Sequence, residues 1–223
     1  MNTTKKILFA FTIVTTILGA CKKEDTKPVT TNTETTPPPP FGFIKVGNSW
    51  TYNTNTDLFW PDGSPQNSYT FRTLESVQSD LGNGQFNISS VLTAVGSDTA
   101  REKTIWHKDN EAWSKIDSTG KKTTLMKATS VKGDITFYLL DGWNGVDTVF
   151  TEVLSTNETV IVPAGSFECI KQYTYDSYSK NNANKYSLIT FYNLKYGLIK
   201  SELNITISGT KLFDKKELIS KNF

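Results

Sequence analysis

The sequence predicts an all-β, mainly antiparallel domain, built as a curved sheet, a half-barrel or a barrel-like body, behind a disordered N-terminal tether. Three observations point there. Beyond Pro40 the chain is dense in aromatic and β-branched residues, and its only prolines are Pro61, Pro65 and Pro163. No window carries an apolar stripe at helical spacing, whereas several alternate apolar and polar residues with period two. The expected organisation is a leader over 1–20, a tether over 21–40 and one β domain over 41–223, long enough for a substantial core.

Lys5 and Lys6 give the leader a positive start, and Ile7 to Leu18 give it an apolar stretch, the pattern of a secretory signal. That stretch is well short of the roughly 20 residues that span a hydrocarbon core, so removal is expected and not a membrane-spanning helix. Leu18-Gly19-Ala20-Cys21 resembles the lipobox of bacterial lipoproteins. The resemblance implies a diacylglycerol thioether on the Cys21 sulfur, cleavage between Ala20 and Cys21, and fatty acid such as palmitate on the new terminus. One acyl chain binds a membrane marginally, whereas two or three hold it stably. No aspartate follows Cys21 directly, which implies the outer membrane. The charged run Lys22-Lys23-Glu24-Asp25 is similar to tags that carry lipoproteins to the cell surface; without such export the domain faces the periplasm. Thr26 to Pro40 has too few apolar groups to offset ordering entropy, and its four final prolines favour an extended spacer.

Charge excludes one class of partner. The 24 Lys and Arg fall to 22 without Lys5 and Lys6, matching 22 Asp and Glu, so the mature chain has no basic excess for nucleic acid. Membrane contact is left to the anchor, and a monomer is expected. With Cys21 acylated, Cys169 has no partner for a disulfide and is expected in the core.

The strands follow in order. Trp50 and Tyr52 alternate with Thr51 and Asn53 after a turn at Gly47-Asn48. Asp57 to Asn67 is expected as a loop with Trp60-Pro61-Asp62-Gly63 at its tip. Strands at about 67–77 and 85–95 join around Asp80 to Gly84, and those at about 101–108 and 111–117 pair across Asp109-Asn110 with Trp106 and Trp113 on their arms. Two short strands cover about 122–128 and 134–140. The second carries Ile135, Phe137 and Leu139 on one side and Tyr138 and Leu140 on the other, which predicts cover on both faces. Asp141 to Gly145 is a turn-rich crossing, followed by a strand at about 146–153. Glu158 to Asp176 is a hairpin, with Pro163 preset for a type I turn and Gly165 for the left-handed residue after it. The last strands cover about 185–194, 197–208 and 210–218. In the middle one Ile199, Leu203, Ile205 and Ile207 face a core while Lys200, Glu202, Asn204 and Thr206 face water.

Phe43 to Tyr52, Val160 to Cys169 and Tyr196 to Glu202 resemble the opening, the Pro-Ala-Gly hairpin and the Gly-Leu-Ile/Val-Lys segment of the TapB-like group of exported bacterial lipoproteins, whose function is unknown. The resemblance implies an antiparallel β domain, similar to the LolA/LolB-type curved sheet around an apolar cavity, and implies no catalytic residues. Read from the residues themselves, Gly47 and Gly165 serve turns, and Trp50 and Phe167 serve burial.

One His and one free Cys cannot build a zinc tetrad, and Asp57 and Asp62 lack calcium-loop spacing, so neither metal nor cofactor is expected. A Ser-His-Asp triad would have to use His107. Carboxylate pairs are plentiful, but nothing singles one out. The five tryptophans are more informative. Trp60, in a Pro-Gly loop, is expected to be exposed, and Trp60, Trp106 and Trp113 are the candidates for contact with a ligand. The expected function is that of an outer-membrane-anchored lipoprotein, not an enzyme, whose β domain binds an apolar or glycan ligand or an envelope partner. The competing readings are a structural module without a ligand site and a hydrolase.

Overall fold

The computed structural model describes residues 40–94, 99–142, 145–177 and 185–223. The Leu18–Cys21 motif, the expected cleavage at Ala20 and Cys21, the tether up to residue 39 and Trp143 lie outside them.

Twelve strands follow in chain order: β1 Ser49–Phe59, β2 Pro65–Gly82, β3 Gln85–Ala94, β4 Thr99–Lys108, β5 Ala112–Ile116, β6 Lys122–Lys127, β7 Ile135–Gly142, β8 Gly145–Val162, β9 Gly165–Asp176, β10 Lys185–Asn193, β11 Gly197–Ile207 and β12 Thr210–Asn222. They form one sheet in the order β6-β5-β4-β3-β2-β1-β12-β11-β10-β9-β8-β7. Every neighbouring pair is antiparallel, and every pair except β1 with β12 is consecutive in the chain. The sheet's two edges are therefore β6 and β7, themselves consecutive, and the sheet curls until they approach. Lys121 Nζ donates to the Leu139 carbonyl across the seam, and a cleft lined by Lys122, Thr124, Thr136 and Tyr138 keeps the two edges apart. The result is an all-antiparallel, nearly closed barrel. Register shifts within the β1/β12, β2/β3 and β8/β9 pairs add the local twist that closure requires.

The expected strands are present, with altered boundaries. The loop expected over Asp57–Asn67 is shorter: β1 runs to Phe59, and β2 starts at Pro65, paired with Phe59. Proline is tolerated there as the first residue of a strand. The strands expected near 146–153 and from Glu158 merge into β8, which absorbs the irregularity as register shifts between Val153 and Glu158. The cover expected on both faces of residues 134–140 is corrected. Ile135, Phe137 and Leu139 are 56%, 69% and 48% exposed on the outer face of an edge strand. Their alternation reflects cross-strand stacking instead: Phe137, Phe150 and Tyr175 face one another across β7, β8 and β9.

The core occupies one end of the barrel. Phe43, Trp50, Trp106 and Trp113 pack there, with the Trp106 and Trp113 rings 4.8 Å apart and Phe43 and Trp113 5.1 Å apart. The segment from Phe41 to Asn48 closes that end. Phe41, Phe43 and Ile44 are buried, and the Lys108 ammonium donates to the carbonyls of Phe41 and Ile44. Trp50 is further fixed by donating Nε1–H to the Tyr196 carbonyl at 2.8 Å.

Candidate functional site

Side chains alternate across a strand, so residues two apart share a face, and directly paired residues on neighbouring strands share it too. Starting from core residues, this rule fixes what lines the barrel. On β1 the inward series is Trp50, Tyr52, Thr54, Thr56 and Leu58; on β12 it is Leu218, Lys216, Asp214 and Leu212; on β11 it is Ile199, Ser201, Leu203, Ile205 and Ile207. Each strand runs from an apolar core position through a polar stretch to apolar residues at the other end.

The polar layer is buried and bonded. Thr54, Thr73, Gln172, Thr174 and Thr190 all lie within it, each under 9% exposed. Lys216 Nζ meets Glu75 Oε1 at 2.7 Å and lies 4.2 Å from the centre of the Tyr52 ring. Burial pushes the Tyr52 hydroxyl well above its usual range, and the Glu75 carboxylate and Tyr192 add to the effect. Burial likewise raises the Tyr192 hydroxyl, against a hydrogen bond with Thr190. Both phenols therefore stay neutral hydrogen-bonding groups at physiological pH.

Asp214 marks the boundary between the two inner zones. It pairs with Thr56 on β1 and Leu203 on β11, and Tyr69 pairs with Thr56 on the other side, so all four stand on one rung. Its carboxylate accepts a long hydrogen bond from Thr56 Oγ1, 3.3 Å, and has no cation within 4.0 Å among the described residues. Burial raises its pKa, opposed by the Thr56 bond and by Lys216.

Beyond that rung the wall turns apolar and stays open to solvent. Tyr69, on the rung, and Ile207, beyond it, are 46% and 60% exposed, and Leu203, on the rung, and Ile205, beyond it, are half-buried. The Ile199–Ile207 face expected to meet a core thus does so only at Ile199, and its far half lines an open end.

Of the candidate tryptophans, Trp60 is at the tip of the β1–β2 connection and is 48% exposed. The loop is set by Asp62, which accepts from the Ser64 backbone at 2.8 Å and its hydroxyl at 2.6 Å; these bonds hold the Asp62 carboxyl below the usual range. Trp106 and Trp113, at 8% and 2% exposure, sit in the packed aromatic core and present no face to solvent. Cys169 is buried, and burial with the nearby Glu158 pushes its thiol up to about 12. His107 Nδ1 lies 3.7 Å from Asp109 Oδ2, and the facing Ser114 Oγ has no hydrogen-bond partner among the described residues, so no bonded Ser-His-Asp chain is formed. No group of three or more His, Cys, Asp or Glu placed to hold a metal occurs among the described residues. Sequence reasoning missed Glu75, Asp214 and Lys216. The available signal was the period-two series Leu212, Asp214, Lys216, Leu218, in which two charges interrupt an apolar face.

No family model matches the chain, and no curated protein matches it. Solved structures do. A Bacteroides fragilis chain described as an exported protein with a YmcC-like fold superposes with a TM-score of 0.52 at 15% identity, covering 80% of this chain and 97% of that one. A Parabacteroides distasonis chain described as a lipoprotein gives 0.51 at 13% identity, covering 82% and 98%. At such identities the likeness carries the fold alone.

Proposed function

We propose that this chain is an exported lipoprotein, anchored through Cys21 to the outer membrane, whose barrel binds an apolar ligand through its open end without catalysing a reaction. On this reading residues 1–20 are removed, 21–40 tether and 41–223 bind. The observation that carries the binding role is the inner wall at and beyond the Asp214 rung, largely apolar yet partly exposed at Tyr69 and Ile207. Exposed apolar surface on the concave side of a barrel is the ordinary form of a small-molecule site. Trp60, in the loop that joins the mouth-side ends of β1 and β2, adds an aromatic ring at the rim. The Leu18–Cys21 motif and the lipoprotein and exported descriptions of the two similar structures support the anchor. The three stretches of TapB-like resemblance suit the same reading.

Two measurements test it. Mass spectrometry of the N-terminal peptide from membranes should find acylated Cys21, and an unmodified terminus or a different first residue would overturn the anchor. Mass spectrometry of the intact protein released from those membranes should find an apolar species bound at one per chain. Its absence, together with failure to take up an apolar dye, would leave a structural module in place of a binding protein.

A further inference from the structure

We infer that the ligand of this barrel is an amphiphile with a cationic head, an alkylammonium or its equivalent, which Asp214 binds while the apolar body lies against the mouth. The inference rests on the reading of the open end as an apolar site, and charge complementarity carries it further.

Lys216 is already taken: its ammonium bonds Glu75 at 2.7 Å and lies over the Tyr52 ring, so that pair is close to neutral. Asp214, the next inward position on the same strand, accepts one hydrogen bond, from Thr56 Oγ1 at 3.3 Å, and feels the Lys216 charge without forming an ion pair with it. Its direct neighbour on β11 is Leu203, and Leu212 follows it toward the mouth on β12. On β1, β2 and β9 to β12 no Lys or Arg takes an inward position between this rung and the open end; the lysines at 185, 211 and 215 and Arg72 fall on the outer face by the same alternation. Asp176, paired with Val149, adds a second inward carboxyl nearer the mouth.

A partly desolvated carboxylate without a cation is costly, and a ligand that supplies an ammonium removes that cost through a charge-assisted hydrogen bond. Among the described residues of those strands, a carboxylate or phosphate head would meet the Asp214 charge with no inward lysine beyond Lys216 to compensate it. Tyr69, on the same rung two strands away, adds an aromatic ring to this zone of the wall. The raised pKa of Asp214 fits the same picture, because burial disfavours its charged form until a cation arrives.

The experiment uses a chain starting at Lys22, which keeps every core residue, and the apolar reporter N-phenyl-1-naphthylamine, displaced at neutral pH by dodecylamine, dodecanol or dodecanoate below their micellar concentrations. Dodecylamine should displace at least about tenfold more effectively than dodecanol, the ratio expected of one charge-assisted hydrogen bond, with dodecanoate weakest. Asp214→Asn, checked for folding by its unfolding midpoint, should bring dodecylamine and dodecanol together. Equal displacement by all three, or a lead for dodecanoate, would overturn the cationic head and leave the apolar site standing. A reporter that does not bind would overturn both.

Discussion

Asp214 shows how one side chain sets both a stability and a binding property. Its carboxyl has a raised pKa in the folded barrel, chiefly from burial, against 3.8 for the ordinary group. The folded state therefore holds that proton more tightly than the unfolded state does. The group costs nothing at pH values below the ordinary carboxyl pKa, and its penalty grows as pH rises through the raised value, then stays constant. Asp214→Asn should accordingly raise the melting temperature at neutral pH, with a gain that shrinks on acidification and vanishes below the ordinary range. Thermal unfolding of both chains across pH 3 to 8 measures this. A loss of stability at neutral pH would mean that Asp214 has a partner that stabilises its charge. Residues that bind often relinquish stability in this way.

At the scale of elements, hairpin closure depends on backbone that only certain residues adopt. Gly84, in the β2–β3 turn, has φ +72°, and a Cβ there would stand 2.3 Å from the Lys108 carbonyl oxygen. That carbonyl belongs to the strand whose Lys108 N–H already bonds Gly84 O at 2.8 Å. Gly120 has a similar φ of +84° with nothing within 4 Å of a new Cβ. Gly120→Ala should thus cost only the left-handed conformation, about 1–2 kcal/mol, while Gly84→Ala should cost clearly more because the β3/β4 backbone must also move. Equal shifts in denaturation midpoint would show that this pair yields freely. The strands themselves were largely legible in the sequence because alternation of Trp50 with Tyr52, or of Ile199 with Leu203 and Ile205, is a local property. The boundaries of β1 and β2 were not, since Asp57 to Phe59 resembles a loop until β12 supplies its pairing. Ile135, Phe137 and Leu139 misled for a related reason: alternation identifies a strand but does not say whether a second layer covers it.

At the scale of the whole molecule, the antiparallel barrel follows from strand after strand with short connections, and its position of closure does not. Chain order would allow a seam where the termini meet, yet β1 pairs with β12, and the edges fall at β6 and β7. The binding end was equally hidden. Trp106 and Trp113 are conspicuous in the sequence but belong to the core, whereas the inner wall is assembled from residues on many strands that become neighbours only through register. Polar Thr54, Lys216 and Gln172 share one layer only through the register of β1, β12, β11, β10 and β9, and Glu75 joins it through its ion pair with Lys216. The core packed at one end, sealed by Phe41 to Asn48, leaves the opposite end as the place where an apolar molecule gains by burial. Leu203, half-buried above the polar layer, lies on that path.

The most direct measurement is a fluorescence titration of the chain starting at Lys22 with N-phenyl-1-naphthylamine, beside Leu203→Asp and the outer-face control Leu74→Asp. Saturable binding at one site per chain, lost in Leu203→Asp and retained in Leu74→Asp, is the expected result. Binding that never saturates, or that survives Leu203→Asp unchanged in a folded protein, would contradict a ligand site inside the barrel.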